Sequence, residues 1–336
     1  MIPGLEPGLA EHIESHVGPG PLTVTAIAGG HSNETSLVTS PSGRWILRRP
    51  PAATISAGAN DLGREARILE ALAGTAVPVP AVISYVEAGV VDDRPCLLLE
   101  HCAGTPLTDT WPDGWPAEVT IGEVGRASVD ALAVLHAVDA AAIGLADLGR
   151  PERYLERQVA RWRSQYERSR VRDLPAFDVL GTWLETYRPL ETAPGLLHGD
   201  FHLDNCLIGA GPPARVNAII DWELATVGDP LVDLGLLLAL WGDDRATPVA
   251  MPKVQALTRQ RGAPPRAEIA ARYAERSGRS VDALAFYMVL ALFKLAAIVE
   301  GAYARFVRGE DDSPWARALG DDVPRLLADA QRLAGG

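Results

Sequence analysis

One stretch, Gly195 to Gly235, constrains this chain more than any other: GLLHGDFHLDNCLIGAGPPARVNAIIDWELATVGDPLVDLG. It sets a dense cluster of ionisable groups between apolar runs. Leu196 and Leu197 read as the end of a buried strand, and His198-Gly199-Asp200-Phe201-His202-Leu203-Asp204-Asn205 as a polar loop. Cys206 to Ile208 is expected as a short strand, Gly209 to Pro213 as a turn and Val216 to Ile220 as the partner strand. Asp221 falls where that second strand ends. A hairpin brings the loop before its first strand near the residue after its second. Asp200, Asn205 and Asp221 are therefore expected to converge.

Such a grouping suits phosphoryl transfer. That chemistry needs a carboxylate to take the proton of the attacking hydroxyl, and oxygen ligands for Mg²⁺ on the ATP phosphates. In the protein-kinase layout an Asp base is followed by a metal-binding Asn, and a second metal-binding Asp comes after a short hairpin. Asp200 and Asn205 have that spacing, and Asp221 opens Asp-Trp-Glu where kinases have Asp-Phe-Gly. Two other readings stand beside this one. His198, Asp200, His202 and Asp204 alternate, and on a strand they would share one face as zinc ligands do. No histidine follows His202, however, so a two-zinc site lacks its remaining imidazoles. An acidic loop can also be a solvated turn, but such a turn has no need of a second Asp delivered by an apolar strand.

The form H-G-D-x-H-x-x-N followed by I-D-W-E resembles the aminoglycoside phosphotransferase family, a small-molecule branch of the protein-kinase-like fold. The run D-W-E-L-A-T-V-G-D-P-L-V-D-L is similar to the phosphotransferase domains fused to, or encoded beside, acyl-CoA dehydrogenases. The resemblance implies an α+β, bilobal protein-kinase-like fold. Residues 1-103 would form a nucleotide-binding lobe with an antiparallel sheet. Residues 104-336 would form a larger, mainly helical lobe for catalysis and substrate binding. It further implies transfer of the γ-phosphoryl group of ATP or GTP to a small-molecule hydroxyl. Asp200 would be the base, and Asn205 and Asp221 the Mg²⁺ ligands. The acceptor it implies is a hydroxyacyl-type metabolite. An antibiotic acceptor (aminoglycoside or macrolide) and a non-catalytic nucleotide-binding module are the alternatives.

Upstream, residues 5–16 are expected as a short helix with Leu9, Ile13 and His16 on one side. Leu22 to Ala28 reads as a strand, the segment from Ala28 to Thr35 as a small flexible loop, and Ser36 to Thr39 as a second strand. A loop with two glycines can lay backbone N–H groups over phosphates, or simply turn a hairpin. The kinase layout makes Gly29, Gly30, Ser32 and Asn33 nucleotide contacts. Trp45 to Arg48 reads as the third strand, where kinases carry a phosphate-touching lysine paired with a helix glutamate. The chain has two lysines, Lys253 and Lys294, so a cation in this region must be an arginine. Arg48 is the choice, since a guanidinium can bridge phosphate and carboxylate. The run L-R-R-P-P is usual among the acyl-CoA-dehydrogenase-associated relatives. Asp61 reads as the cap of a helix from Leu62 to Leu72, whose Glu65 would pair with Arg48. Val82 to Tyr85 and Cys96 to Glu100 read as strands. The following link, with Glu100 and Cys102, would offer backbone groups to the adenine edge.

After Pro112 the periodicity turns helical: Ile121 to Val138, Tyr154 to Ser169, Phe177 to Tyr187, Pro264 to Ser277 and Val281 to Val307. Asp229 is expected to cap a helix with Pro230 in its first position, and Asp233 to brace the catalytic loop. Lys294, Tyr303 and Arg305 on the longest helix are either substrate contacts or packing residues.

The net charge of −12 argues against a nucleic-acid or anionic-membrane partner. An anionic nucleotide needs only a local cationic pocket. Three cysteines with no CxxC pattern fit reduced thiols and a cytoplasmic setting. The N-terminus does not read as a signal peptide. The apolar run Tyr287 to Val299 is interrupted by Lys294, so no membrane span is expected. A monomer or homodimer acting on a small molecule fits these numbers.

Overall fold

A computed structural model describes residues 5–27, 33–51, 61–242, 251 and 253–335. The chain divides into two compact units. One comprises Met1–Gly104 and Asn217–Leu224, the other Thr105–Val216 and Ala225–Gly336.

The first unit is built on a five-stranded sheet. Its strands are β1 (Thr23–Ala26), β2 (Glu34–Ser40), β3 (Gly43–Arg49), β4 (Val82–Val86) and β5 (Cys96–Glu100), in the order β1-β2-β3-β5-β4. Every neighbouring pair is antiparallel. Helix α1 (Pro7–Val17) buries Leu9, Ile13 and Val17 in a core shared with Val38, Leu47, Cys96 and Leu98. His16 is exposed, so Val17, one residue on, completes the apolar stripe in its place. Helix α2 (Leu62–Leu72) starts at Asp61, whose side chain accepts from the Arg64 N–H at 3.0 Å. It packs on β4 and β5. With both faces covered, β5 is a continuous apolar run from Cys96 to Leu99, buried throughout. The alternation of a strand separates Leu47, in the α1 core, from Arg48 on the opposite face.

The second unit is mainly helical. It contains α3 (Ile121–His136), α4 (Tyr154–Ser169), α5 (Pro175–Thr186), α6 (Leu231–Ala239), α7 (Arg266–Ser277), α8 (Leu284–Val307) and α9 (Pro314–Ala334). Thr120 and Glu123 form a capping box at the start of α3. Helix α8 is the hub: α4, α5, α6 and α9 all pack against it, so it is apolar nearly all round. Its length and composition would suffice to cross a membrane, but here it lies in the core of its unit. Tyr166, Phe177 and Phe293 stack at 4.0 Å between successive ring centroids and join α4, α5 and α8. Where α6 crosses α8, a side chain on Gly235 would lie 2.7 Å from the Tyr287 backbone, so the two helices meet only because this position is glycine. Asp229 caps α6 from one residue further out than expected. Pro230 occupies the cap position, and the Asp229 carboxylate accepts from the Leu231 N–H at 3.1 Å and from the Tyr287 hydroxyl at 2.8 Å.

Two short strands frame the polar loop. β6 (Gly195–Leu197) pairs antiparallel with β9 (Thr226–Gly228), and β7 (Cys206–Gly209) leads into β8 (Arg215–Ile219). The sequence reading ended β8 at Ile220, one residue late, and carried α3 two residues too far.

Candidate active site

In the second unit, the loop after β6 is pinned by its apolar members. Phe201 and Leu203 are fully buried, which leaves Asp200, His202 and Asp204 on the other side of the chain. Gly199 takes a φ of 83°, a left-handed conformation open to glycine at little cost. The buried Asp233 carboxylate accepts the backbone N–H groups of His198 at 2.7 Å and Gly199 at 2.9 Å, the bracing role expected of it. Gln255, which sequence reasoning missed, holds the far side. Its amide oxygen accepts from Leu203 N at 2.9 Å, and its amide nitrogen donates to Leu237 O at 3.0 Å.

Asp200 and Asn205 meet in this loop. Asn205 Nδ2 donates to the Asp200 backbone carbonyl at 2.9 Å, which leaves the amide oxygen as the group available to a cation. The Asp200 carboxylate is about 30% exposed and lies between two cations. Lys294 Nζ is 3.6 Å from Oδ1, and His202 Nε2 is 3.4 Å from Oδ2. Burial works to raise the Asp200 pKa, but Lys294 and His202 outweigh it and hold the carboxyl well below the usual range. Burial likewise disfavours a charged His202. Asp200 and Asp204 outweigh it, so the imidazole is pushed up to about 9.

In the first unit, β3 and α2 bring together the other two residues of interest. Arg48 Nη1 donates to Glu65, and Arg48 Nη2 lies 3.4 Å from Asp221 Oδ1. Glu65 is 2% exposed; burial pushes its pKa up to about 7, against the pull of Arg48. Asp221 has a φ of 68° and keeps its carboxylate 38% exposed. The neighbouring Trp222 is fully buried, and its indole N–H donates to Ile219 O at 2.9 Å, which fixes the turn. Arg49, the next residue on β3, is spent on Asp92.

The remaining candidates divide clearly. Asn33 is buried at the start of β2, with its Oδ1 unpartnered among the described residues. Gly29, Gly30 and Ser32 lie outside the described residues. Glu100 uses its backbone N–H on Ala81 O at 2.9 Å, and its side chain accepts from Ala81 N at 3.3 Å. The Cys102 thiol is half-buried and pushed up to about 11 by burial and by Glu100. Of the α8 candidates, Lys294 reaches the loop, whereas Tyr303 is covered by the Arg172 guanidinium at 4.4 Å and Arg305 is exposed. The oxygen donors of Asn205 and Asp221 are of the hard kind that Mg²⁺ prefers.

An antiparallel sheet with a helix-borne glutamate facing a strand arginine, and a mainly helical unit carrying an Asp…Asn loop, define a kinase-like α+β protein. The chain belongs to the phosphotransferase enzyme family, whose model matches residues 23–285. It is 33% identical over 296 residues to acyl-CoA dehydrogenase family member 11 of Rattus norvegicus, an alignment covering 87% of this chain and 38% of that protein. The chain spans between 28% and 38% of the length of the curated relatives it matches. Among solved structures, a candidate aminoglycoside phosphotransferase from Ralstonia eutropha superposes with a TM-score of 0.79 at 31% identity, covering 98% of this chain and 97% of that one. The aminoglycoside phosphotransferase APH(4)-Ia, solved as a ternary complex with AMP-PNP and hygromycin B, shares the fold at a TM-score of 0.65 and 15% identity, with 98% of each chain covered.

Proposed function

We propose that the chain transfers the γ-phosphoryl group of ATP, or GTP, to the hydroxyl of a small anionic molecule. The observation that carries this reading is the Asp200–Asn205 loop. It combines a carboxylate kept charged by two neighbouring cations with an amide held by its nitrogen on the Asp200 carbonyl. The acceptor oxygen attacks the γ-phosphorus and the bond to the β–γ bridging oxygen breaks. ADP departs, and the hydroxyl proton passes to Asp200. A carboxylate with so low a pKa is a poor base toward an unreacted alcohol. Its work is to orient the hydroxyl and take the proton late, as a loose transition state allows. Asn205 and Asp221 would each offer an oxygen to Mg²⁺, which would supply charge neutralisation on the triphosphate. Arg48, braced by Glu65, takes phosphate oxygens. The link at Glu100 and Cys102 meets the base. APH(4)-Ia, solved with AMP-PNP and hygromycin B together, supports a reading in which a nucleotide and a small molecule are bound at once.

Charge supports the choice of acceptor. Lys294 and His202 flank Asp200, and Arg161 lies over the Trp162 ring at 4.8 Å, with Lys294 5.9 Å from the same ring. Asp200 and Asp204 balance these cations, which still offer local partners to the anionic group of a hydroxy acid or its thioester. An acyl-CoA dehydrogenase among the relatives points the same way. The test is ATP consumption over hydroxy acids, their CoA thioesters, sugars, aminoglycosides and macrolides. The anionic compounds should turn over fastest, and a preference for aminoglycosides would overturn the acceptor class. Asp200→Ala should lower kcat by roughly 10²–10⁴-fold while nucleotide affinity holds. Undiminished turnover in that variant would remove Asp200 from the reaction.

A further inference from the structure

Helix α8 is almost wholly apolar, yet it carries Lys294 at 7% exposure between Phe293 and Leu295. An ammonium buried in such surroundings is costly unless it is paired. Lys294 Nζ donates to the Gly199 carbonyl at 2.6 Å, and this anchor decides where the charge sits. From there the ammonium lies 3.6 Å from Asp200 Oδ1, while His202 holds Oδ2. Composition sharpens the point. Lysine occurs twice in a chain with 31 lysines and arginines together. At this one buried position the chain departs from its habitual cation and uses a compact point charge with rotatable donors.

We propose that Lys294 is a positioning residue for Asp200. Anchored on the Gly199 carbonyl, its ammonium fixes one oxygen of the carboxylate, so that the acceptor hydroxyl meets Asp200 in a single orientation. The proposal rests on the phosphotransferase reading above. A merely structural lysine would tie α8 to the loop through the Gly199 carbonyl alone, and any N–H donor could do that.

Lys294→Gln separates the two roles, because it keeps an N–H donor for Gly199 and removes the charge. Steady-state kinetics would be measured with far-UV circular dichroism and nucleotide affinity by fluorescence titration. The expected result is a folded chain with nucleotide affinity within about threefold of wild type and kcat lowered roughly 100-fold. Lys294→Arg, which restores charge on a larger head, should recover at least about tenfold of that loss. A Lys294→Gln chain with kcat within threefold of wild type overturns the role. One that loses its fold assigns the ammonium to the scaffold and overturns it equally. Wild-type protein assayed alongside keeps the two ideas apart: no transfer by wild type overturns the phosphotransferase reading itself, whereas an active wild type with an active Lys294→Gln chain overturns only the proposal for Lys294.

Discussion

Asp233 accepts three donors at once: the backbone N–H groups of His198 and Gly199, and His136 Nε2 at 3.3 Å. His136 Nδ1 lies 2.7 Å from the Tyr273 hydroxyl. A neutral imidazole protonated on Nε2 satisfies both contacts, since it donates to Asp233 and accepts from Tyr273. Burial lowers the His136 pKa below its ordinary value of 6.5, more than Asp233 raises it, with Arg279 lowering it and Asp229 raising it from further away. The sign follows. Below about pH 6.5 the unfolded chain takes up a proton that the folded chain refuses, so stability is full above that pH and is lost as the pH falls. Chemical denaturation at pH 7.5, 6 and 5 should show stability falling with pH, with this group contributing at most about 1.4 kcal/mol per pH unit. His136→Asn should flatten that part of the curve; an unchanged slope would assign the acid sensitivity elsewhere. The spacing of Asp200 and Asn205 is local, so it was visible in the residues alone. Arg48 and Glu65 were visible through the kinase layout, which puts a phosphate-touching cation on the third strand and its glutamate partner on the helix that follows. The Lys294–Gly199 bond joins positions 95 residues apart and depends on how α8 packs, which no local pattern records.

Helix α9 had no counterpart in the sequence reading, and Pro324 is the physical reason. A proline inside a helix removes the N–H that would bond four residues back. The abandoned acceptor is the Gly320 carbonyl, and it is satisfied from outside: Arg172 Nη1 donates to it at 2.8 Å. The same guanidinium pairs with the fully buried Glu300 on α8 at 2.8 Å and covers Tyr303. One arginine in the α4–α5 connection therefore allows α9 to run through its proline against α8. Elements with regular periods, such as α2, α4 and β5, fell where the residues placed them; α9 depends on a partner from another segment. Arg172→Met should cost about 3–5 kcal/mol, because it strands the Glu300 carboxylate in the core and orphans the Gly320 carbonyl. Urea denaturation measures this, and Arg172→Met combined with Glu300→Gln should recover part of the loss. A single variant as stable as wild type would show that the carboxylate finds another partner.

At the scale of the whole chain, a net charge of −12 opposes any polyanion, a nucleoside triphosphate included. Binding must then come from local positive charge, and the first unit has little to spare around Arg48, which already faces Glu65 and Asp221. Mg²⁺ is therefore expected to carry much of the attraction. A ligand that binds only the folded chain stabilises it by about 2.7 kcal/mol at a hundred times its dissociation constant. AMP-PNP with Mg²⁺ should accordingly raise the thermal midpoint. The same nucleotide in EDTA should raise it far less, since the carboxylate of Asp221 then meets the phosphates without a cation between them. Arg48→Met should erase most of the shift even with Mg²⁺ present, because it removes the guanidinium and leaves Glu65 buried without its partner. Equal midpoints with Mg²⁺ and with EDTA would detach Asn205 and Asp221 from the metal, and a full shift in Arg48→Met would detach that arginine from the phosphates. Differential scanning fluorimetry at matched ionic strength separates these outcomes, because screening by added salt would otherwise imitate the neutralising effect of the ion.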